Sequence, residues 1–144
     1  MGTVLPENDL RRRTIAQARA FLDLLSAKEM TGWSNLWADD AVQEMPYTPV
    51  GFPKRVEGKT ALIRHYSNLP ASTGRMAFVD RVTHPLVDPN GVLVEYRGEI
   101  EMIATGKRYD NRYAGLFRFN AEGKLELFRE YFDPTILAEA WVGH

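Results

Sequence analysis

The sequence contains no cysteine, which excludes disulfides, thiolate nucleophiles and cysteine-ligated zinc. Its three histidines, His65, His84 and His144, are too dispersed to give the spacing of a metal site, so we expect no bound metal. The segment Gly58-Lys59-Thr60 resembles the end of a phosphate-binding loop, but Pro53 occupies the position of that motif's first glycine. We therefore expect neither a metal nor a nucleotide cofactor. The main candidates for catalytic residues are then the aspartate and glutamate side chains.

Long apolar runs and a strong net charge are also absent. No segment approaches the ~20 apolar residues that span a bilayer. The first ten residues, MGTVLPENDL, lack the basic and apolar regions of a secretory signal. The formal net charge of −1 gives no electrostatic reason to bind nucleic acid or an anionic membrane. The expectation is a cytoplasmic protein without nucleic-acid or membrane partners.

The 144 residues are enough for one ordinary domain, and we predict a single domain over the whole chain. Apolar spacing and turn signals predict helices first and a meander of antiparallel strands afterwards, which is an α+β fold. The predicted helices run from Asn8 or Asp9 to about Lys28, over 30–38 and over 59–68, and the predicted strands cover 41–47, 77–86, 92–104, 108–120 and 125–132. Residues 46–53 and 70–75 read as loops, and residues 134–141 as a final helical turn.

The two strands near the end of the chain carry polar residues among aromatics. Asn111 and Glu130 alternate with large apolar side chains, whereas an ordinary core avoids polar groups. A polar group on a buried face must be paired or must line a cavity. This pattern predicts a sheet curved around a small-molecule pocket.

Glu130 is the strongest catalytic candidate. Phe128 and Phe132 flank it at alternate positions, so an inward orientation would desolvate the carboxyl and raise its pKa toward neutrality. The alternative is a surface glutamate paired with Arg129 or Arg112. Both faces of the strand mix polar and apolar residues, so the periodicity leaves the two readings open.

Three further residues are candidates with competing structural explanations. His65 lies on the apolar stripe of the predicted third helix, where it could assist proton transfer or be a hydrogen-bonded core residue. Asn111 and Tyr113 project to the same side of one strand and could orient a ligand. Asn111 could equally satisfy a loop backbone group. His84, next to Pro85, is expected to be structural.

Three segments together resemble the nuclear transport factor 2-like superfamily, in its SnoaL-like or ketosteroid-isomerase-like branch. They are LWADDAV at 36–42, GKTAL at 58–62 and the block from 105 to 134. The resemblance implies a cone-shaped curved antiparallel sheet wrapped around three helices of the N-terminal half, with an apolar cavity at its wide end. It also implies a homodimer formed through the outer face of the sheet.

The family's catalytic groups match this chain only in part. The positions that match the catalytic residues of ketosteroid isomerases are occupied here by Met45, Phe21 and Gly115. These residues lack the required catalytic groups, so the resemblance does not imply steroid isomerisation by that mechanism. The FREYFD segment at 128–133 is similar to the acid-bearing motifs of limonene-epoxide-hydrolase-like and phenazine-biosynthesis A/B proteins, and both similarities place their acid on Glu130.

The resulting hypothesis is a pocket for a small apolar or aromatic ligand, with Glu130 as general acid or base and His65 assisting. Isomerase, cyclase and hydrolase are the candidate activities, and no cofactor is required because one tuned carboxyl can transfer the proton. The alternative is a ligand-binding or dimerising domain without turnover. Besides Asn111 and Tyr113, the expected ligand-binding residues are Phe21, Trp33, Trp37, Met45, Phe117 and Phe128.

Overall fold

The computed structural model describes residues 5–141, and within them one six-stranded sheet lies beside the helices of an α+β fold. The sheet has the order β2-β1-β6-β5-β4-β3 and is mixed, because β1 and β6 run parallel while the other neighbours are antiparallel. The elements are α1 Glu7–Ser26, α2 Met30–Ser34, β1 Trp37–Glu44, β2 Arg55–Glu57, α3 Lys59–Tyr66, α4 Leu69–Ser72, β3 Thr73–Pro85, β4 Gly91–Met102, β5 Arg108–Phe119, β6 Leu125–Phe132 and α5 Pro134–Trp141.

Helix α1 packs its apolar stripe against the concave side of the sheet. Ala18, Phe21, Leu22 and Leu25 recur at three- and four-residue spacing and are all buried. The helix begins one to two residues before the predicted cap, and Pro6 occupies the N-cap position without a side-chain hydrogen bond. A proline carbonyl can still accept the first helical bond, and Leu10 N donates to it at 2.9 Å.

The second predicted helix is too long, because its last residues belong to a strand. Helix α2 ends at Ser34, and β1 starts at Trp37. The spacing of Trp33, Leu36 and Trp37 suits a helix locally, but Trp37 is aligned with Leu125 of β6. Leu125 N also donates to the Leu36 carbonyl at 2.7 Å, so pairing across the sheet overrides the local pattern. This parallel pairing also corrects the expectation of a purely antiparallel sheet.

The remaining differences occur where short elements replace predicted loops. The edge strand β2 was not predicted, although it pairs with the end of β1. The predicted break at 70–75 contains α4 and the start of β3, whereas the strands β4, β5 and β6 and the C-terminal helix α5 lie close to their predicted positions. Among the described residues, none of the helices is long and apolar enough to cross a membrane.

The sheet curves at irregular points in its ladders. The register between β3 and β4 shifts between Val79 and Val82, and Asp80 in this interval has a φ of 54°. A second shift separates Arg118 from Phe119 on the β5 side of the β5–β6 ladder. Such bulges bend and twist a strand, which allows the sheet to wrap around α1 and α3.

An aromatic cluster fills the space between α1 and the middle of the sheet. Phe21 is the common neighbour of the cluster, with ring centroids 4.8 Å from Phe128 and 5.3 Å from Phe117. Trp33 and Trp37 extend it, each with its centroid 5.6 Å from that of Phe21. All five side chains are at most 1% exposed, so the cluster leaves no ligand-sized space in this part of the molecule.

Gly115 makes room for two of these rings. A Cβ placed there would lie 2.8 Å from Phe128 Cε1 and 3.2 Å from Phe117 Cε1. Both rings are completely buried, so they cannot move away without disturbing the cluster. The glycine is therefore required by packing between β5 and β6.

We predict that Gly115→Ala lowers the free energy of unfolding by about 1–3 kcal/mol through overpacking. Urea denaturation followed by tryptophan fluorescence measures the change. The matched control is Gly32→Ala in α2, where the nearest atom to an added Cβ is Leu24 Cδ2 at 3.4 Å. The control should be neutral or stabilised by up to about 1 kcal/mol, because alanine favours helices. Equal stabilities of Gly115→Ala and the wild-type protein would contradict the packing argument.

Candidate functional site

A cavity of about 300 Å³ lies next to the aromatic cluster, between the inner face of the sheet and the surrounding helices and loops. Its walls are mainly apolar and aromatic, with a few polar groups directed inward, as in most small-molecule sites. The lining residues are Leu25, Gln43, Met45, Thr48, Phe52, Pro53, His65, Tyr66, Asn68, Leu69, Ser72, Thr73, Met76, Phe78, Ile100, Tyr109, Tyr113, Glu130, Phe132, Leu137 and Trp141.

Glu130 projects from β6 into this cavity. It lies opposite Gly115 of β5, so no side chain from that position covers it. Its only hydrogen-bond donor among the described residues is Tyr96, whose hydroxyl lies 3.3 Å from Oε2. Burial raises the pKa of Glu130 from 4.5 to about 7, and the Tyr96 hydrogen bond only partly opposes this shift. The carboxyl therefore exchanges its proton near neutral pH.

The alternative in which Glu130 pairs with a neighbouring arginine does not occur. Arg129 projects to the other face of β6 and donates from Nη2 to Glu44 Oε1 at 2.8 Å. Arg112 is exposed on the opposite face of β5 from Tyr113. Because none of the described cationic side chains forms an ion pair with this carboxylate, desolvation is the main influence on its protonation state.

Four tyrosines surround the carboxyl and remain neutral phenols. Burial is the main cause that raises the pKa of Tyr109 to about 12 and holds the pKa values of Tyr66, Tyr96 and Tyr113 well above the usual range. The negative charge of Glu130 acts in the same direction on all four. These hydroxyls can therefore act as hydrogen-bond donors but not as bases.

His65 lies in the cavity wall on α3 and is exposed at its rim. Partial burial lowers the pKa of its imidazole, so the neutral ring predominates at neutral pH. Its ring packs edge-on against Tyr66, with centroids 5.2 Å apart. The hydrogen bonds of the described residues include none between His65 and Glu130. The two predicted catalytic side chains thus line one cavity without a hydrogen bond between them among the described residues.

The predicted ligand-binding residues fall into two groups. Met45 and Tyr113 line the cavity. Phe21, Trp33, Trp37, Phe117 and Phe128 lie in the aromatic cluster instead, which corrects their expected position, because the close packing of their rings excludes a ligand there.

Asn111 is buried but does not line the cavity. Its Nδ2 donates to Tyr109 Oη and to the Asp133 carbonyl, both at 3.0 Å. Its Oδ1 accepts from the backbone N–H groups of Arg112 at 2.8 Å and Asp133 at 3.3 Å. The amide therefore ties β5 to the start of α5, and the structure places it in the backbone-satisfying arrangement that was one of its two alternatives.

Gln43 was not singled out in the sequence although it lines the cavity. It lies on β1 next to Phe128 of β6 and is 1% exposed. Its Oε1 accepts a hydrogen bond from the Tyr66 hydroxyl at 2.8 Å. The available signal was a single amide that alternates with Ala41 and Met45 inside the strand predicted over 41–47, but alternation alone does not show that a cavity lies on that side of the strand.

The other histidines lie away from the cavity. His84 Nε2 is 2.7 Å from Glu95 Oε2 on the exposed side of the β3–β4 ladder, and His144 lies outside the described residues. Within residues 5–141, no group of three or more histidine, aspartate or glutamate side chains is arranged to hold a metal ion.

Comparison with known proteins identifies the family. The SnoaL-like domain pattern matches residues 18–136, which is most of the chain. The chain belongs to the SnoaL-like domain family. A relative, the uncharacterized protein YesE of Bacillus subtilis, is 31% identical over 125 residues, which cover 87% of this chain and 84% of YesE.

Solved structures extend this likeness to the whole fold. A Bacillus subtilis protein provisionally named an isomerase is 28% identical and has a TM-score of 0.85, covering 97% of this chain and 98% of its own. Rv0760c of Mycobacterium tuberculosis, solved in complex with estradiol-17beta-hemisuccinate, is 21% identical with a TM-score of 0.76, covering 86% of this chain and 96% of its own. These matches confirm the predicted nuclear transport factor 2-like architecture.

The half-buried, desolvated carboxyl of Glu130 should make stability depend on pH. Because the folded pKa of Glu130 lies above its unfolded value, the folded state binds more protons between pH 4.5 and about 7. We predict that the free energy of unfolding of the wild-type protein falls by up to about 3 kcal/mol relative to that of Glu130→Gln as the pH rises through this interval. Above this interval the difference between the two proteins should stay constant.

Urea unfolding of both proteins from pH 4 to pH 9 measures this difference. Glu122→Gln, at an exposed turn position, is the matched control and should follow the wild-type curve throughout. A difference between Glu130→Gln and the wild type that does not change with pH would show that the carboxyl is not desolvated.

Proposed function

We propose that the protein catalyses proton transfer on an apolar or aromatic small molecule, as an isomerase or cyclase, with Glu130 as general acid and base. One observation carries this proposal: a carboxyl with a pKa of about 7 faces an apolar cavity that no side chain fills. Proton transfer is most efficient when the pKa of the catalytic group is close to the working pH. Such a group takes up and returns a proton within one catalytic cycle.

The hydrogen bond from Tyr96 supports this role. It holds Oε2, so Oε1 has no protein donor among the described residues and is available to a ligand. In the ionised form Oε1 accepts a proton from the substrate, and in the protonated form it returns that proton to another atom. The substrate is isomerised or cyclised when the atom that receives the proton differs from the atom that lost it.

The remaining wall residues would orient the ligand. Tyr113 stacks on Tyr96, with ring centroids 5.0 Å apart, and presents an aromatic surface beside the carboxyl. His65, neutral at the rim, would donate or accept a hydrogen bond at the opening. The apolar lining favours a hydrophobic ligand, and the steroid derivative bound by the similar protein Rv0760c belongs to this chemical class.

A binding protein without turnover is the second candidate. The lack of a hydrogen bond between His65 and Glu130 among the described residues favours it, because acid–base pairs in many enzymes are held within hydrogen-bond reach. In that case the carboxyl would recognise a polar group of the ligand instead of moving a proton. Turnover on a defined probe distinguishes the two candidates.

2-Tetralone is a suitable probe, because it is an apolar ketone with exchangeable protons next to its carbonyl. We predict that the protein accelerates the exchange of the protons next to the carbonyl for deuterium in D₂O. Proton NMR measures this exchange. The rate should rise with pH to a plateau above about pH 7, because the ionised form of Glu130 is the base. Glu130→Gln should lower the rate by about 10²–10⁴-fold.

Binding of the probe to both proteins, measured by NMR titration, is the companion experiment. Retained affinity with lost exchange in Glu130→Gln supports catalysis. Binding to the wild-type protein without any exchange above the solvent rate would favour the binding protein. No binding of 2-tetralone to either protein would contradict a pocket for apolar ketones.

We also propose that the protein is a homodimer through the outer face of the sheet. On this face Arg97 is directly opposite Arg112, and Glu99 is directly opposite Asp110. Like charges side by side are unfavourable without additional partners. Arg97 is neutralised by Asp80 and Glu99, whereas the described residues offer Arg112 no carboxylate within ion-pair distance. Acidic side chains of a second copy would neutralise it.

Light scattering coupled to gel filtration tests this proposal. We predict twice the chain mass of 16.4 kDa for the wild-type protein and a shift toward the monomer for Arg112→Glu. Arg19→Glu, at an exposed position on α1 away from the outer face, should remain dimeric. A monomeric wild-type protein would contradict the proposed interface.

A further inference from the structure

The side-chain amide of Gln43 has an unused hydrogen-bond donor at the wall of the cavity. Its Nε2 is buried and has no hydrogen-bond partner within residues 5–141, while Oε1 accepts from the Tyr66 hydroxyl. A buried donor without a partner has a free-energy cost of about 1–3 kcal/mol, so such groups are rare and call for an explanation.

Other buried atoms without partners do not offer the same explanation. The indole nitrogens of Trp33 and Trp37 lie in the aromatic cluster, and Asn90 Oδ1 lies in the loop between β3 and β4. None of these three residues lines the cavity, whereas Gln43 does. Among these unpartnered atoms, the donor of Gln43 is therefore the one whose residue forms part of the cavity wall.

The hydrogen bond from Tyr66 leaves one end of the amide without a partner. The Tyr66 hydroxyl donates to Oε1, so that acceptor is occupied, whereas the Nε2 donor is not. Tyr66 is itself held in the cavity wall by packing against Trp33, with ring centroids 4.6 Å apart. Tyr66 thus holds the Oε1 end of the amide, and Nε2 is the end left for a ligand.

Gln43 and Glu130 face the same hollow from neighbouring strands. Gln43 is aligned with Phe128 in the parallel β1–β6 pair, and Glu130 follows two residues later on the same face. Strand geometry separates their Cα atoms by on the order of 8 Å, and both side chains point inward. One small molecule can contact both groups.

We propose that Gln43 is a ligand-positioning residue whose Nε2 donates to an oxygen acceptor of the substrate, so that the substrates are apolar or aromatic molecules carrying a carbonyl. This inference rests on the proposed ligand-binding function of the cavity. An oxygen held at Gln43 directs the neighbouring carbon toward Glu130, where its proton is removed. The same hydrogen bond stabilises the negative charge that develops on that oxygen.

Two probes of the same shape test this role. 2-Tetralone carries the carbonyl, and tetralin has the same ring skeleton without it. The wild-type protein should bind 2-tetralone more tightly than tetralin, and Gln43→Met should lower the affinity for 2-tetralone by about three- to tenfold with little change for tetralin. Methionine keeps the length and volume of the side chain but has no N–H group.

The chain contains only two glutamines, which provides a matched control. Gln17 lies on α1 outside the cavity wall, and its Nε2 donates to the Gly123 carbonyl at 3.2 Å. Gln17→Met should bind both probes as the wild type does. The control separates a general effect of glutamine replacement from the loss of a donor in the cavity.

A direct observation of the donor does not depend on how well Gln43→Met folds. Protein labelled with ¹⁵N only at glutamine side chains gives two pairs of amide proton signals, one pair for each glutamine, and Gln17→Met assigns them. 2-Tetralone should move a proton signal of Gln43 downfield, as expected for a new hydrogen bond, and should leave that of Gln17 unchanged. Tetralin should not produce this downfield shift.

The outcomes distinguish this inference from the proposed function. Equal affinity of the wild-type protein for the two probes, or an unmoved Gln43 signal with 2-tetralone bound, overturns the role of Gln43 and leaves the binding function intact. Failure of both probes to bind overturns the proposed pocket function and the role of Gln43 together.

Discussion

Burial of a carboxyl group inside a curved sheet removes the water that would solvate its charge. Desolvation raises the pKa of Glu130 to about 7, and the hydrogen bond from Tyr96 partly opposes this increase. The positions of the nearby charges preserve this balance. Arg129, the preceding residue in the chain, is held on the other face by Glu44. If its guanidinium lay in the cavity, it would lower the carboxyl pKa and remove the proton-exchanging group from neutral pH.

The hollow itself depends on how the apolar residues are distributed. Phe21, Phe117 and Phe128 fill one part of the concave surface so completely that even a Cβ at Gly115 would disturb them. The adjacent part is lined by rings and aliphatic chains that stop short of meeting. Dense packing next to an unfilled space gives a rigid wall, which is what orientation of a small substrate requires.

The sequence was sufficient for features that depend on neighbours in the chain or on a matched motif. Alternation located β4, β5 and β6, and the FREYFD segment directed attention to Glu130. Features that depend on distant partners were not accessible in this way. The strand identity of Trp37 follows from its parallel pairing with β6, and the position of Gln43 follows from the same pairing. Aromatic residues were expected in the pocket wall because periodicity shows which side chains point inward but not how far they fill the interior.

The two buried amides show why burial alone does not identify a ligand-binding residue. Asn111 is 2% exposed and Gln43 is 1% exposed, yet their hydrogen bonds differ. Both polar atoms of the Asn111 side chain form hydrogen bonds within β5 or with Asp133. These bonds offset the free-energy cost of burying the amide. Gln43 retains a free N–H group beside an empty space. A folded protein gains nothing from that donor in the absence of a ligand, and a bound carbonyl oxygen would remove the penalty that the fold leaves in place.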